Sequence, residues 1–164
     1  MKGLRSESKE ILIRRGYTIA VAESLTGGLL QDFFVQDSGA SDYFSGGLTA
    51  YTVAMKVELL GVNPEKASAC RGVSEEIAIE MAKGVCLKFK AAIGLATTGF
   101  AVPDSTQNIK TPIAYFALVF RDQCILSGQI SENLSRNAFR IRVVKRVGEE
   151  LERWILKQGE VTAQ

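Results

Sequence analysis

No histidine occurs anywhere in the 164 residues. A serine nucleophile in this chain therefore has to be activated by something other than imidazole. Serine–histidine–aspartate triads, cysteine–histidine pairs and histidine-based zinc hydrolases are all excluded on that ground. One serine stands where a nucleophile would, because the mostly apolar run Tyr17 to Ala22 passes straight into Glu23-Ser24-Leu25-Thr26-Gly27-Gly28. A hydroxyl on a strand-to-helix turn lies beside backbone N–H groups that the helix leaves unpaired, and such groups hold a phosphate or a developing oxyanion. The same residues also fit a plain capping serine followed by a tight Gly-Gly turn.

With imidazole absent, the base for Ser24 is a lysine or a carboxylate, and lysine leads. It takes a proton from serine only when burial or a neighbouring cation keeps it neutral. Its pKa, about 10.4 when unperturbed, has to fall by ~3 units, worth roughly 4 kcal/mol of environment. Lys56 is the best placed, in the apolar segment Val53-Ala54-Met55-Lys56-Val57 just beyond the strand-like run Gly46 to Tyr51. A snorkelling surface lysine is the ordinary alternative. Tyr51 is either a hydroxyl relay or a strand residue with a satisfied hydroxyl, and Glu23 either pairs with Lys56 or caps the next helix. Arg136 and Arg140 lie one turn apart at a helix start, a spacing suited to forked hydrogen bonds with a phosphate. Arg142, Lys145 and Arg146 are spread around the same helix, as solvated charges are.

Alternating strands and helices have to position these groups. Leu4, Ser8, Ile11 and Leu12 mark a first helix stopped by Arg14-Arg15-Gly16. Thr18 to Ala22 is short, β-branched and apolar on both faces, as in a strand buried between helix layers. Leu29, Leu30, Phe33 and Phe34 form the stripe of a second helix, Gly46 to Tyr51 a strand, and Ala54 to Leu60 a short helix ended by Gly61. Asn63-Pro64 reads as a turn. Ser74-Glu75-Glu76 opens a well-capped helix facing inward through Ile77, Met81, Val85 and Phe89. Ala91 to Thr97 is a second buried strand, and Thr98 to Pro112 a loop. Ile113 to Phe120 and Cys124 to Ile130 are a hairpin, and Ser135 caps a last helix through Phe139, Val143, Val147, Leu151 and Trp154. The expected architecture is one three-layer α/β/α domain with a mixed, mostly parallel sheet, spanning 1–164. Ligands gather beyond the carboxyl ends of such strands, so Ser24, the Tyr51–Lys56 segment and Thr98-Gly99 are expected to share a cleft.

Composition narrows the partners. Twenty lysines and arginines against 18 acids leave a net charge of +2, too balanced for general nucleic-acid binding. The three cysteines, Cys70, Cys86 and Cys124, have no zinc or disulfide spacing. No signal peptide and no apolar run of ~18 residues is present, so no membrane span is expected and a cytoplasmic setting is.

The segments Ala22 to Gly28, Tyr51 to Lys56, Leu59 to Val62, Gly72-Val73-Ser74-Glu75-Glu76, Thr98-Gly99, and Arg136 with Arg140 resemble, in order and spacing, the CinA carboxy-terminal domain, the nicotinamide-nucleotide amidase family. The resemblance covers nearly the whole chain. It implies a stand-alone amidase that converts nicotinamide mononucleotide to nicotinate mononucleotide and ammonia without metal or other cofactor, as a homodimer. By position it makes Ser24 the nucleophile, Lys56 its base and Tyr51 an assisting hydroxyl. Thr26, Gly27, Gly28, Thr98 and Gly99 would line the oxyanion and substrate cleft, and Arg136 and Arg140 would face the phosphate of the nucleotide substrate. Two stretches depart from the family pattern. Val102 stands where a glycine is usual, and Val53-Ala54 replaces an amide and a carboxylate. Those changes motivate a second reading, a paralogue that binds a nucleotide or a protein partner without turnover.

Overall fold

The computed structural model describes residues 3–160, so the extremes of the expected span, 1–2 and 161–164, lie outside the described residues. The elements are α1 (Ser6–Arg15), β1 (Ile19–Glu23), α2 (Leu29–Val35), β2 (Phe44–Thr49), α3 (Val53–Leu60), α4 (Pro64–Ala69), α5 (Glu75–Phe89), β3 (Ile93–Phe100), β4 (Ile113–Phe120), β5 (Gln123–Ser131) and α6 (Arg136–Glu160). The strands pair in the order β2-β1-β3-β4-β5. β1 is parallel to β2 and β3, while β4 is antiparallel to both β3 and β5. The mixed sheet therefore has every strand except β4 running one way, and the ends of β1, β2 and β3 open on the same edge.

Local chemistry explains most boundaries. Gly16 and Gly61 end α1 and α3 in the left-handed region, at φ 62° and 66°, where a glycine costs no steric strain. Thr52 and Ser74 accept the N–H of Met55 and Ile77 at the starts of α3 and α5. The turn expected at Asn63-Pro64 is instead the start of α4. The Asn63 side chain accepts the Lys66 N–H, and Pro64 occupies the first turn, where its missing N–H would have had no partner. The strand expected over Gly46–Tyr51 lies two residues earlier. β3 also continues beyond Thr97, because Thr98, Gly99 and Phe100 pair with Tyr115, Ala114 and Ile113. Thr98 and Gly99 are therefore strand residues.

Side-chain alternation assigns the layers. Ile19, Val21, Ile93 and Leu95 face α1, α2 and α6, whose Leu12, Phe34, Phe139, Val143 and Leu151 are buried among them. Ala20, Ala22 and Ala96 face α3, α4 and α5. Small residues let that second layer sit close. A Cβ on Gly94 would come within 2.2 Å of the Ala82 carbonyl of α5, and one on Gly84 of α5 within 2.1 Å of the Leu60 carbonyl of α3. Each fully buried Leu, Ile, Val or Phe contributes roughly 1.5–3 kcal/mol, and the second face adds near-backbone contact to the burial of Leu60, Val62, Ile77, Met81 and Val85. Among the described residues no helix is long and apolar enough to cross a membrane.

At the end of β1 one buried carboxylate organises the next element. Glu23 is fully buried, and it accepts the N–H groups of Gly28, Leu30 and Gln31 at 3.0, 2.9 and 2.9 Å. A negative group at a helix start meets both unpaired donors and the positive end of the dipole. Of the alternatives open for Glu23, the structure has it capping α2. Glu23→Ala would strand these donors and is expected to lower stability by about 3 kcal/mol, with Glu23→Gln costing roughly half that, because one acceptor oxygen survives. Urea unfolding of the two variants checks the order.

Candidate active site

Three strand ends bring their residues to one place, and the shortest link there is between Lys56 and Ser24. Lys56 is 2% exposed and Ser24 5%. The Lys56 Nζ lies 3.0 Å from the Ser24 Oγ, 3.0 Å from the Ala50 carbonyl and 3.3 Å from the Tyr51 carbonyl. An ammonium has three donors, and each has an acceptor here. No carboxylate is among them. Burial pushes the pKa of Lys56 down from 10.5 to about 8, while the neighbouring Cys70 pulls it the other way. Once one proton has left, two hydrogens remain for the two carbonyls and the lone pair is directed at the Ser24 hydroxyl. The carbonyls thus orient the amine towards the serine, the geometry that a nucleophile–base pair requires.

The backbone builds this contact. Thr52 fixes the first turn of α3 and directs Lys56 back under the end of β2. Gly72 packs on the lysine stem, since a Cβ there would lie 3.2 Å from Lys56 Cδ and 3.3 Å from Cε. Its carbonyl accepts the Thr98 hydroxyl at 2.6 Å. Thr98 is fully buried, so it anchors the segment over Lys56 and does not line the cleft.

The turn carrying Ser24 is clamped from both electrical ends. Gly27 and Gly28 take left-handed φ values of 55° and 98°. The Gly27 N–H bonds the Ser24 carbonyl at 3.2 Å and the Gly28 N–H is held by Glu23. These two amides, on residues expected to line the oxyanion and substrate cleft, are thus already engaged. The N–H groups of Leu25 and Thr26 have no partner among the described residues. Thr26 is buried with its hydroxyl 2.7 Å from that of Thr97. Arg140 donates from Nε to the Leu25 carbonyl and from Nη2 to the Thr26 carbonyl, both at 2.8 Å. Its guanidinium is therefore spent on the turn, and it does not border the cavity.

A cavity of about 270 Å³ opens over Ser24 and Lys56. Tyr51, Gly99 and Arg136, three of the residues named from sequence, line it, whereas Thr26, Gly27, Gly28, Thr98 and Arg140 do not. The Tyr51 hydroxyl accepts from Arg136 Nη2 at 3.0 Å, and its carbonyl, not its hydroxyl, meets Lys56. The lining also includes Arg71, Val73 and the segment from Phe100 to Asp104, which sequence reasoning did not single out. Arg71 directly precedes the Gly72-Val73-Ser74 segment, and that adjacency was the available signal. Of the departures from the family pattern, Ala54 is exposed and Val53 packs on the core; neither lines the cavity. Val102 does line it. Its φ is not left-handed, so the glycine is not missed for backbone freedom and the extra side chain only narrows the lip. No cluster of three or more potential metal ligands occurs among the described residues.

Known proteins share this arrangement of elements. A competence-damaged protein (CinA) superfamily protein from Klebsiella pneumoniae superposes with a TM-score of 0.86 at 24% identity, covering 93% of this chain and 95% of that one. Another, from Escherichia coli, gives a TM-score of 0.81, also at 24% identity, over 89% and 85% of the two chains. At the level of sequence, a competence-damage inducible protein of Bacillus cytotoxicus is 34% identical over 142 residues, 87% of this chain and 34% of its own length. A CinA-like protein of Nostoc is 41% identical over 116 residues, 70% of this chain and 27% of its own length. The chain thus spans about a third or less of the length of these relatives. The family model of the CinA C-terminal domain matches residues 1–155, and the chain belongs to that family.

Proposed function

We propose that the chain is an amidohydrolase acting on a linear carboxamide, with nicotinamide mononucleotide as substrate and nicotinate mononucleotide and ammonia as products. The observation that carries this reading is the buried 3.0 Å contact between Lys56 Nζ and Ser24 Oγ, with burial lowering the lysine pKa to about 8. Neutral Lys56 takes the Ser24 proton as Oγ bonds to the carboxamide carbon. The unpaired N–H groups of Leu25 and Thr26 are the donors nearest in the chain to the oxyanion that forms. Lys56 returns the proton to the departing nitrogen, the C–N bond breaks, and ammonia leaves an ester on Ser24. Water, deprotonated by Lys56, then attacks that ester and restores the serine. Arg136 would meet the phosphate, releasing Tyr51 as it does so.

The alternative of a binding paralogue rested on Val53, Ala54 and Val102. Only Val102 borders the cavity, and the Ser24–Lys56 contact lies beneath it, so the geometry favours turnover.

Two measurements test the reading. Ser24→Ala is expected to lower ammonia release from nicotinamide mononucleotide by at least ~10³-fold while the mononucleotide still binds. Unchanged release would reject the mechanism.

The second is the pH–rate profile. Only neutral Lys56 is competent, so kcat/KM should fall about tenfold per unit below pH 8 and level off above it, with roughly a tenth of the molecules active at pH 7. A profile flat from pH 6 to 9 would exclude Lys56 as the base. The sign for stability is the same. The folded pKa is depressed, so burial of the charge is costliest below about pH 8, where both folded and unfolded states are protonated. That cost, roughly 3 kcal/mol, is relieved as pH rises towards 10.5.

A further inference from the structure

The cavity beside Ser24 has three cationic side chains on its wall, Lys56, Arg71 and Arg136, and one carboxylate, Asp104. Lys56 belongs to the serine. The two arginines come from separate elements, the loop between α4 and α5 and the first residue of α6, and each is engaged by a different lining residue. Arg136 donates to the Tyr51 hydroxyl at 3.0 Å. Arg71 Nη1 lies 3.7 Å from Asp104 Oδ2, with the two side chains 55% and 29% exposed. At that distance and exposure an ion pair is weak and readily exchanged. Neither arginine is bound as Arg140 is, with two 2.8 Å bonds to main-chain carbonyls.

The backbone at Arg71 is also unusual. Its φ is 54° and that of Gly72 is 75°, so two consecutive residues sit in the left-handed region, one of them with a long side chain. Glycine suits that region and arginine does not. Gly72 is required there by Lys56, on whose stem it packs, and the same bend sets Arg71 at the cavity wall. The residue that covers the lysine and the residue that offers a guanidinium to the cavity are thus adjacent in the chain.

We propose that Arg71 and Arg136 together form an anion subsite beside the Ser24–Lys56 pair, and that Asp104 holds Arg71 until the anionic group of the substrate takes its place. The inference rests on the amidohydrolase reading for the identity of the neighbouring reaction. It adds that Arg71 joins Arg136 on the phosphate of that substrate, and that it does so by leaving Asp104. Forked hydrogen bonds from two arginines suit the tetrahedral oxygens of a phosphate. A bound dianion and the Asp104 carboxylate repel each other, so the aspartate raises the threshold for weakly charged ligands.

Opposite effects from the two partners of one ion pair are the signature. Calorimetry on the full chain would compare wild type, Arg71→Gln and Asp104→Asn for binding of nicotinamide mononucleotide, its dephosphorylated riboside and inorganic phosphate, with circular dichroism to verify folding. Arg71→Gln is expected to weaken the mononucleotide and phosphate by about tenfold and to leave the riboside within about twofold. Asp104→Asn is expected to tighten both phosphate-bearing ligands by about threefold, since its amide oxygen can still accept from Thr106 as the carboxylate does at 2.9 Å. If both variants weaken binding alike, the pair is a structural latch and the proposal is overturned. Unchanged affinity in Arg71→Gln overturns it too. Should Arg71→Gln fail to fold, Asp104→Asn decides alone, and an affinity that does not rise rejects the subsite. Turnover with no dependence on Arg71 leaves the Ser24–Lys56 reading standing without this subsite. Phosphate binding that needs Arg71, with no ammonia release, does the reverse.

Discussion

An ammonium group removed from water without a carboxylate to meet it is the constraint around which this molecule is arranged. Lys56 has only neutral acceptors, a hydroxyl and two carbonyls. A carboxylate in that position would stabilise the charge and return the lysine towards its ordinary pKa. The neutral acceptors satisfy the donors without adding an opposite charge, so desolvation prevails and the amine approaches the range in which it can accept a proton. The price in stability is borne by the rest of the core, where Ile, Val, Leu and Phe side chains from both sheet faces are buried.

Charge is present nearby, but it is directed at the backbone. Glu23 takes the amides at the start of α2, and Arg140 takes two carbonyls from the turn that precedes it. The buried carboxylate and the part-buried guanidinium thus grip the two polarities of one short segment, which Ser24 directly precedes. A hydroxyl held in this way has little freedom to leave the amine of Lys56, and the proposed proton transfer needs that preorganisation. The hydroxyl bonds of Thr26 to Thr97 and of Thr98 to Gly72 extend the frame to β3 and to the loop above the lysine.

Much of this could be read from residue patterns. The apolar run into Glu23-Ser24, the glycine stops and the serine and threonine caps all announce themselves locally, and strand ends carrying polar groups pointed to Ser24 and Lys56, whose side chains the structure brings into contact. Other features depend on partners distant in the chain and leave no local mark. Arg140 has the spacing of a phosphate clamp, yet its acceptors are carbonyls more than a hundred residues earlier. Thr26 and Thr98 look like cleft residues, but their hydroxyls are bound inside the fold. Asn63-Pro64 carries both turn and helix-start chemistry, and the six residues of α4 are too few for periodicity to decide between them. Arg71 was hidden because a charged residue before a glycine reads as an ordinary bend.

The near-backbone seating of the second helix layer carries a mechanical consequence. α3 bears Lys56, and its last carbonyl rests against Gly84 of α5, which in turn lies on Gly94 of β3 through the Ala82 carbonyl. Ser24 hangs from β1, in the same sheet as β3. The elements that carry the amine and the alcohol are thus seated on one another at glycine contacts, beside the buried Ile77, Met81 and Val85 side chains of α5. Such seating leaves little slack, and thickening any tier would move Lys56 away from Ser24. The distance from amine to alcohol is in that sense a gauge of how closely two helices sit upon a sheet.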